Sequence, residues 1–446
     1  MTPVKNLFNS IESKLEMERW YNSYALANLA AGGVSILIPL YVLQLGGGVD
    51  DIGVLTAVGN LVGVPASIIW GTLSDRWGMR KIFAILGFLG VGISFFLMGV
   101  VNSYSSLILL NATYIFFWMS AASVVTVLII EKEGRSRWDC KIGSFNVSAG
   151  LGWSFGLVLG FVWTTVSALL LAEGSGGTLR YLFIAFGFFA LVGAVLAAKL
   201  IPEDVKFERK GFRGRMLEAG DMVTERFRYV PVHLYYLLKP GRLAGTVHKF
   251  GLTLSGFLTS IAIIYTGFSI FFIPLPAFLK ISGGLGNGKV YLLFIANALS
   301  SALLYRVAAR RTQKIGGFKV LRASLLVRVV LFPGVVLPFI LMANPGLRIL
   351  VAALIIVFIG ASWAFINVST LVIVSSLAPA GIKGQVFGVY NGIIGLSAVG
   401  GSLIGGYLAS FGNYLVTFVV ASLLISSGLT LAANRLKGVN LKAAEE

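Results

Sequence analysis

Residues 70–81 read WGTLSDRWGMRK, setting one carboxylate, Asp75, among three cations, Arg76, Arg80 and Lys81, with Gly71 and Gly78 spaced around them. Such groups form and release ion pairs, and the glycines let a helix end approach a neighbour and the chain turn tightly. Covalent chemistry has little to work with elsewhere. His233 and His248 are the only histidines and Cys140 the only cysteine. No intrachain disulfide, metal site or cofactor is therefore expected. No nucleophile–base set or acid pair falls in the apolar runs, so the chain does not read as an enzyme. Arg328 stands alone as a charge deep in an apolar run.

The elements that must hold these residues follow from composition. The 446 residues are 57% hydrophobic and 12% charged, with a mean hydropathy of +0.87. Soluble domains carry about 25% charged residues, so a soluble chain of this kind would lack a surface. Apolar runs of spanning length recur throughout and show no two-residue alternation, which predicts transmembrane helices and excludes a barrel. Spans are predicted near 21–45, 51–74, 80–101, 105–130, 141–170 and 179–200, then 250–279, 288–310, 318–342, 347–377, 384–410 and 413–435. The expected domains are a six-helix bundle over 1–200, a central loop over 201–248 and a second bundle over 249–446. Residues 1–20 lack the apolar core of a secretory signal, so the first span is expected to serve as its own targeting signal.

The net charge of +18 is spread over the breaks between runs. That speaks against nucleic acid and for membrane topology. About 31 of the 36 Lys and Arg fall in the termini and alternate breaks, and about four, Arg180, Lys280, Lys289 and Arg348, in the other set. The positive-inside rule makes the first set cytoplasmic, with both termini on that side of the cell membrane. The basic 201–248 break reads as a linker lying on anionic lipid headgroups, with a regulatory or partner-binding role as the alternative.

The two halves repeat one another. Ile38-Pro39-Leu40 returns as Ile273-Pro274-Leu275, and Asn60 returns as Asn297. Asp75-Arg76-Trp77-Gly78 aligns with Gln313-Lys314-Ile315-Gly316, and Trp118 with Trp363. KIGSFNVSAG (141–150) aligns with KGQVFGVYNG (383–392). Parallel six-helix repeats of this kind build many secondary transporters.

With these motifs in place, the 70–81 stretch resembles the signature of the major facilitator superfamily, carried by Gly71, Leu73, Asp75, Arg76, Gly78, Arg80 and Lys81 in the loop between spans 2 and 3. The resemblance covers essentially the whole chain. It implies an all-α polytopic membrane protein with twelve transmembrane helices in two pseudo-symmetric six-helix bundles. It also implies a latch: Gly71 lets span 2 approach span 11, Asp75 sits at the N-terminus of span 11, and Arg76, Arg80 and Lys81 pair with acids at the end of span 4, Glu131 foremost. An anion at a helix N-terminus gains about 0.3–1 kcal/mol. A latch present in one state only shifts the balance between inward- and outward-open forms. The second copy, with Gln313 for Asp and Ala309 for Gly, has lost its charge, so the first is expected to dominate. Gly152, Gly156 and Gly160 in span 5, and Gly401 and Gly405 in span 11, are expected to let helices pack closely. Trp153-Ser154-Phe155 stands where antiporters of the family often carry a Pro, which speaks against drug–proton antiport.

The family binds solute between spans 1, 4, 7 and 10, with help from 2, 5, 8 and 11. The candidates there are Asn28, Ser35, Asn60, Tyr114, Trp118, Asn146, Tyr265, Asn297, Trp363, Asn367, Tyr390 and Asn391, with Trp118 and Trp363 expected to face each other. Helix packing or an aromatic belt is the competing reading for each. No Asp or Glu lies mid-membrane in spans 1, 4, 7 or 10. That leaves facilitated diffusion, or coupling to protons or another ion through Asp75 or Glu131. Arg328 is expected either to snorkel or bond a neighbouring carbonyl, or to bind an anionic substrate. The resulting expectation is a monomeric carrier of a small solute, surrounded by lipid. An exporter of hydrophobic or amphipathic compounds and a membrane sensor without transport are the alternatives.

Overall fold

The computed structural model describes residues 18–132, 138–170, 177–202, 240–379 and 382–437. Twelve of its helices are long and apolar enough to cross a membrane, and no strand occurs among the described residues. In the first half these are α1 (Tyr21–Gln44), α2 (Val49–Trp77), α3 (Arg80–Val100), α4 (Tyr104–Lys132), α5 (Trp138–Leu170) and α6 (Thr178–Leu200). The second half has α7 (Pro240–Phe272, continued as Leu275–Ile281), α8 (Asn287–Ile315), α9 (Gly317–Gly334, continued as Leu337–Leu341), α10 (Pro345–Leu377), α11 (Lys383–Ser410) and α12 (Tyr414–Leu436).

Local chemistry fixes the helix ends. Asn344 accepts from the N–H groups of Gly346 and Leu347 at 2.9 and 3.2 Å, and Pro345 takes the first helical position, where its missing N–H costs nothing. Asn413 caps α12 by accepting from Val416 at 3.0 Å. Gly78 ends α2 at φ 62°, and Gly316 ends α8 at φ 91°. These left-handed turns occupy positions that the internal alignment pairs, and only glycine adopts them without strain.

Three details differ from the sequence reading. Span 7 breaks at Pro274, which cannot donate to the preceding turn. Its N-terminal part begins at Pro240, so residues 240–248 are helical rather than loop, and the left-handed Gly251 then redirects the chain. Span 9 breaks after Pro333-Gly334 and resumes at Leu337. Asp75 and Arg76 lie in the last turn of α2 rather than in a loop.

Packing repeats between the halves. α1 packs on α5 and α6 as α7 packs on α11 and α12; α3 contacts α4 and α6 as α9 contacts α10 and α12; α2 contacts α4 as α8 contacts α10. Glycines make the first of these contacts close. Side chains at Gly152 and Gly156 would strike the carbonyl oxygens of Ala25 and Leu29 on α1. In the second half, a Cβ at Gly401 would lie 2.6 Å from the Thr266 oxygen, and one at Gly405 would lie 2.7 Å from Ile270 Cα on α7. The halves meet along two related seams, α2 on α11 and α5 on α8.

Candidate functional site

The bundle has two faces: a terminal face, where α1 begins and α12 ends, and an opposite face, reached at the ends of α1 and α11. The seams close at the opposite face. There α2 begins and α11 ends, and main chain meets main chain. A Cβ at Gly53 would lie 2.5 Å from the Ser402 oxygen and 2.9 Å from Gly406 Cα. On the second seam the Tyr291 ring of α8 sits over Gly160 of α5, and its hydroxyl donates to the Gly33 carbonyl of α1 at 2.8 Å. Towards the terminal face the same helices separate. Side chains added at Gly71 on α2, or at Gly388 and Gly392 on α11, would meet no atom within 4 Å among the described residues. The close approach expected of Gly71 is therefore not made in this conformation.

Between the halves, beneath the closed end, lies a cavity of about 360 Å³, within the range of small-molecule sites. Its polar lining is Ser35, Thr56, Asn60, Asn111 and Asn297, set among Ile, Leu, Pro and Phe side chains and Trp153. Among the described residues, no charged one lines it. Pro39 is part of the wall, and because it has no N–H the Ser35 carbonyl one turn earlier loses its helical donor. The polar groups are held by their own helices. Ser35 donates to Gly32 at 2.6 Å and Thr56 to Ile52 at 2.8 Å. Asn111 donates to the Leu55 carbonyl and Asn297 to the Ile356 carbonyl, each at 3.1 Å. Each Asn thus keeps its amide oxygen and one N–H, and the hydroxyls present lone pairs. The lining suits a largely apolar solute carrying hydrogen-bond donors.

Of the twelve cavity candidates, Ser35, Asn60 and Asn297 come together here. The rest lie elsewhere. Asn28 donates to the Tyr24 carbonyl at 2.9 Å within its own helix. Tyr114 packs between Phe95 and Trp118. The Tyr265 and Tyr390 hydroxyls meet at 3.3 Å, and Trp363 lies against Tyr265 and Phe268. Trp118 and Trp363 thus pack into their own bundles, with no ring contact between them among the described residues. Asn367 is half-buried on α10, and Asn146 and Asn391 are exposed on α5 and α11. Thr56, Asn111 and Trp153 join the wall without having been expected there. Thr56 sits one helical turn before Asn60, which is the signal that could have found it.

In the latch region, Gly78 makes the turn, and Arg80 is buried with Nη1 donating to Ser74 Oγ at 2.7 Å. Lys81 is half-buried in the first turn of α3. The side chains of Asp75, Arg76 and Glu131 lie outside the described residues.

Arg328 does not snorkel. It is 0% exposed and reaches from α9 between α7 and α10. Its Nε donates to Ser362 Oγ at 2.9 Å and its Nη2 to the Ile359 carbonyl at 3.1 Å. The carbonyl bond is one branch of the sequence expectation. The guanidinium lies 4.4 Å from the ring centre of Phe268, 5.2 Å from Trp363, 5.5 Å from Phe272 and 5.7 Å from Phe332. Cation–π attraction of this kind is worth about 2 kcal/mol when desolvated.

The chain resembles known proteins over nearly its whole length. The sequence model of the Major Facilitator Superfamily matches residues 21–402. A bacterial homolog to the human lysosomal transporter Spinster, solved in an inward-facing and occupied conformation, superposes with a TM-score of 0.70 at 12% identity, covering 94% of this chain and 96% of that one. A peptide transporter, POT, solved with sulfate, gives 0.68 at 14% identity over 94% and 93%. The nucleoside transporter NupG gives 0.63 at 14% over 94% and 98%. No curated protein matches significantly in sequence. At these identities the solved structures attest the fold alone, while the sequence match spans most of the chain. On that match, the chain belongs to the Major Facilitator Superfamily of membrane transporters.

Proposed function

We propose that the protein carries a small, largely apolar solute with hydrogen-bond donors across the cell membrane by alternating access, and that it stands here open towards the cytoplasm. The observation that carries this reading is the one-sided closure of the α2–α11 seam above the cavity. The distribution of Lys and Arg assigns the open, terminal face to the cytoplasm. Asn60, Asn297 and Ser35 then hold the solute, with Thr56 and Asn111 beside them. Among the described residues Asn60 has no hydrogen-bond partner, so its whole amide is free for the solute. The outward-open state requires the terminal-face ends of α2 and α11 to meet. Gly71 permits that approach, and Asp75 at the α11 N-terminus, with Arg76, Arg80, Lys81 and Glu131, stabilises it. One chain holds both halves of the cavity, so a monomer suffices. Facilitated diffusion fits a cavity without carboxylates, and any proton coupling runs through Asp75 or Glu131.

The test is counterflow of a labelled solute into proteoliposomes containing the full chain, with and without a pH gradient. Saturable counterflow that Asn60→Ala and Asn297→Ala both weaken is expected. Saturable binding without counterflow would make the protein a sensor instead.

A further inference from the structure

From Arg226 to Ala444 there is neither Asp nor Glu, and the only acids beyond are Glu445 and Glu446 at the very C-terminus. Arg328 lies in the middle of that stretch, fully buried, and no membrane span of its own bundle carries a carboxylate to neutralise it. Two of its nitrogens are satisfied by Ser362 and Ile359, but Nη1 is buried with no hydrogen-bond partner. A buried cation without a counter-charge is costly, and four aromatic rings offset that cost only partly. One of those rings, Phe272, also lines the solute cavity, and the guanidinium lies 5.5 Å from its centre. Phe272 is thus a side chain that touches both the cavity and the guanidinium.

We propose that Arg328 is the subsite for a carboxylate head on the transported solute, whose apolar body occupies the 360 Å³ cavity. The inference rests on the carrier reading and narrows its solute class to amphipathic monocarboxylates. The carboxylate accepts from Nη1 and supplies the missing negative charge, and Phe272 swings aside to admit it. Inorganic chloride or phosphate is the competing source of that charge.

The test measures melting of the full-length protein in detergent and chloride-free buffer. The probes are acetate, hexanoate and 3-phenylpropionate, each beside its own carboxamide, with chloride and inorganic phosphate as further arms. At least one of the longer carboxylates is expected to raise the midpoint saturably by about 3 °C or more, the scale of a ligand well above its dissociation constant, while its amide does not. Arg328→Met keeps the side-chain volume, removes the charge and abolishes the gain; Arg328→Lys keeps a reduced gain. Equal stabilisation by acid and amide, or a gain that survives Arg328→Met, overturns the subsite. A gain fully reproduced by chloride or phosphate overturns the solute carboxylate in favour of a resident counter-ion. Counterflow separates the two readings. A stabilising carboxylate that is not carried removes the carrier and leaves the subsite, whereas counterflow indifferent to Arg328→Met does the reverse.

Discussion

The two ends of the α2–α11 seam are built from the same residue type and are used differently. At the opposite face Gly53 and Gly406 bring main chains into contact; towards the terminal face Gly71 and Gly388 have open space beside them. Glycine at a permanent contact needs only one partner. Glycines at both ends of one crossing suit helices that meet at one end and then at the other. The contact in place is the pattern for the proposed one at Gly71: backbone approach, with no side chain between.

Four substitutions break or sharpen that contrast. Gly53→Leu has the largest expected effect, because its neighbours are main-chain atoms that cannot move aside. Overpacking of this sort costs about 1–3 kcal/mol, which spreads the closed end and lowers counterflow tenfold or more. In a Cys140→Ser background, Ser35→Cys should then react with an impermeant maleimide added at the opposite face. Unchanged labelling would show that the seam tolerates a wedge and is not the seal. Asp75→Asn should slow counterflow severalfold, since a helix-terminal anion contributes about 0.3–1 kcal/mol, or ~2 when partly buried. Insertion and melting should stay as in the parent, and full-rate transport by this variant would remove the latch. Gly71→Ala should leave the labelling pattern of this conformation alone while reducing turnover by about two- to fivefold, at the ~0.5–1 kcal/mol scale of membrane helix contacts. A drop in melting temperature would mean that Gly71 is packed already. Tyr291→Phe removes one bond to Gly33, worth about 0.6 kcal/mol, and should raise opposite-face labelling roughly threefold. No change there would place the second seam's strength in ring packing over Gly160.

Much of the fold is legible in the sequence. Twelve apolar runs give twelve helices because hydrocarbon leaves the backbone no other partner. The repeated Ile-Pro-Leu and the paired turns at Gly78 and Gly316 fall at equivalent places. The breaks after Phe272 and Gly334 were harder to see. Pro39 sits inside a continuous α1, while its counterpart Pro274 interrupts α7, where Pro276 follows two residues later. The site was legible only in part. Ser35, Asn60 and Asn297 meet at one cavity, but a helix apolar nearly all round leaves few signs of its inner face, so the sequence does not separate them from Asn146 and Asn391, which are exposed on α5 and α11. Thr56 was within reach, since it shares a helix face with Asn60 one turn on. The burial of Arg328 depended on where α7 and α10 pass, which no run of residues around it records.

The Gly53–Gly406 contact has one more consequence. Its atoms carry no formal charge, so dissolved ions have nothing to screen there. A lock based on Asp75 and its basic neighbours behaves otherwise and weakens as ionic strength rises. On the proposed latch, added salt therefore acts on one gate and spares the other, tilting the resting population towards the form described here.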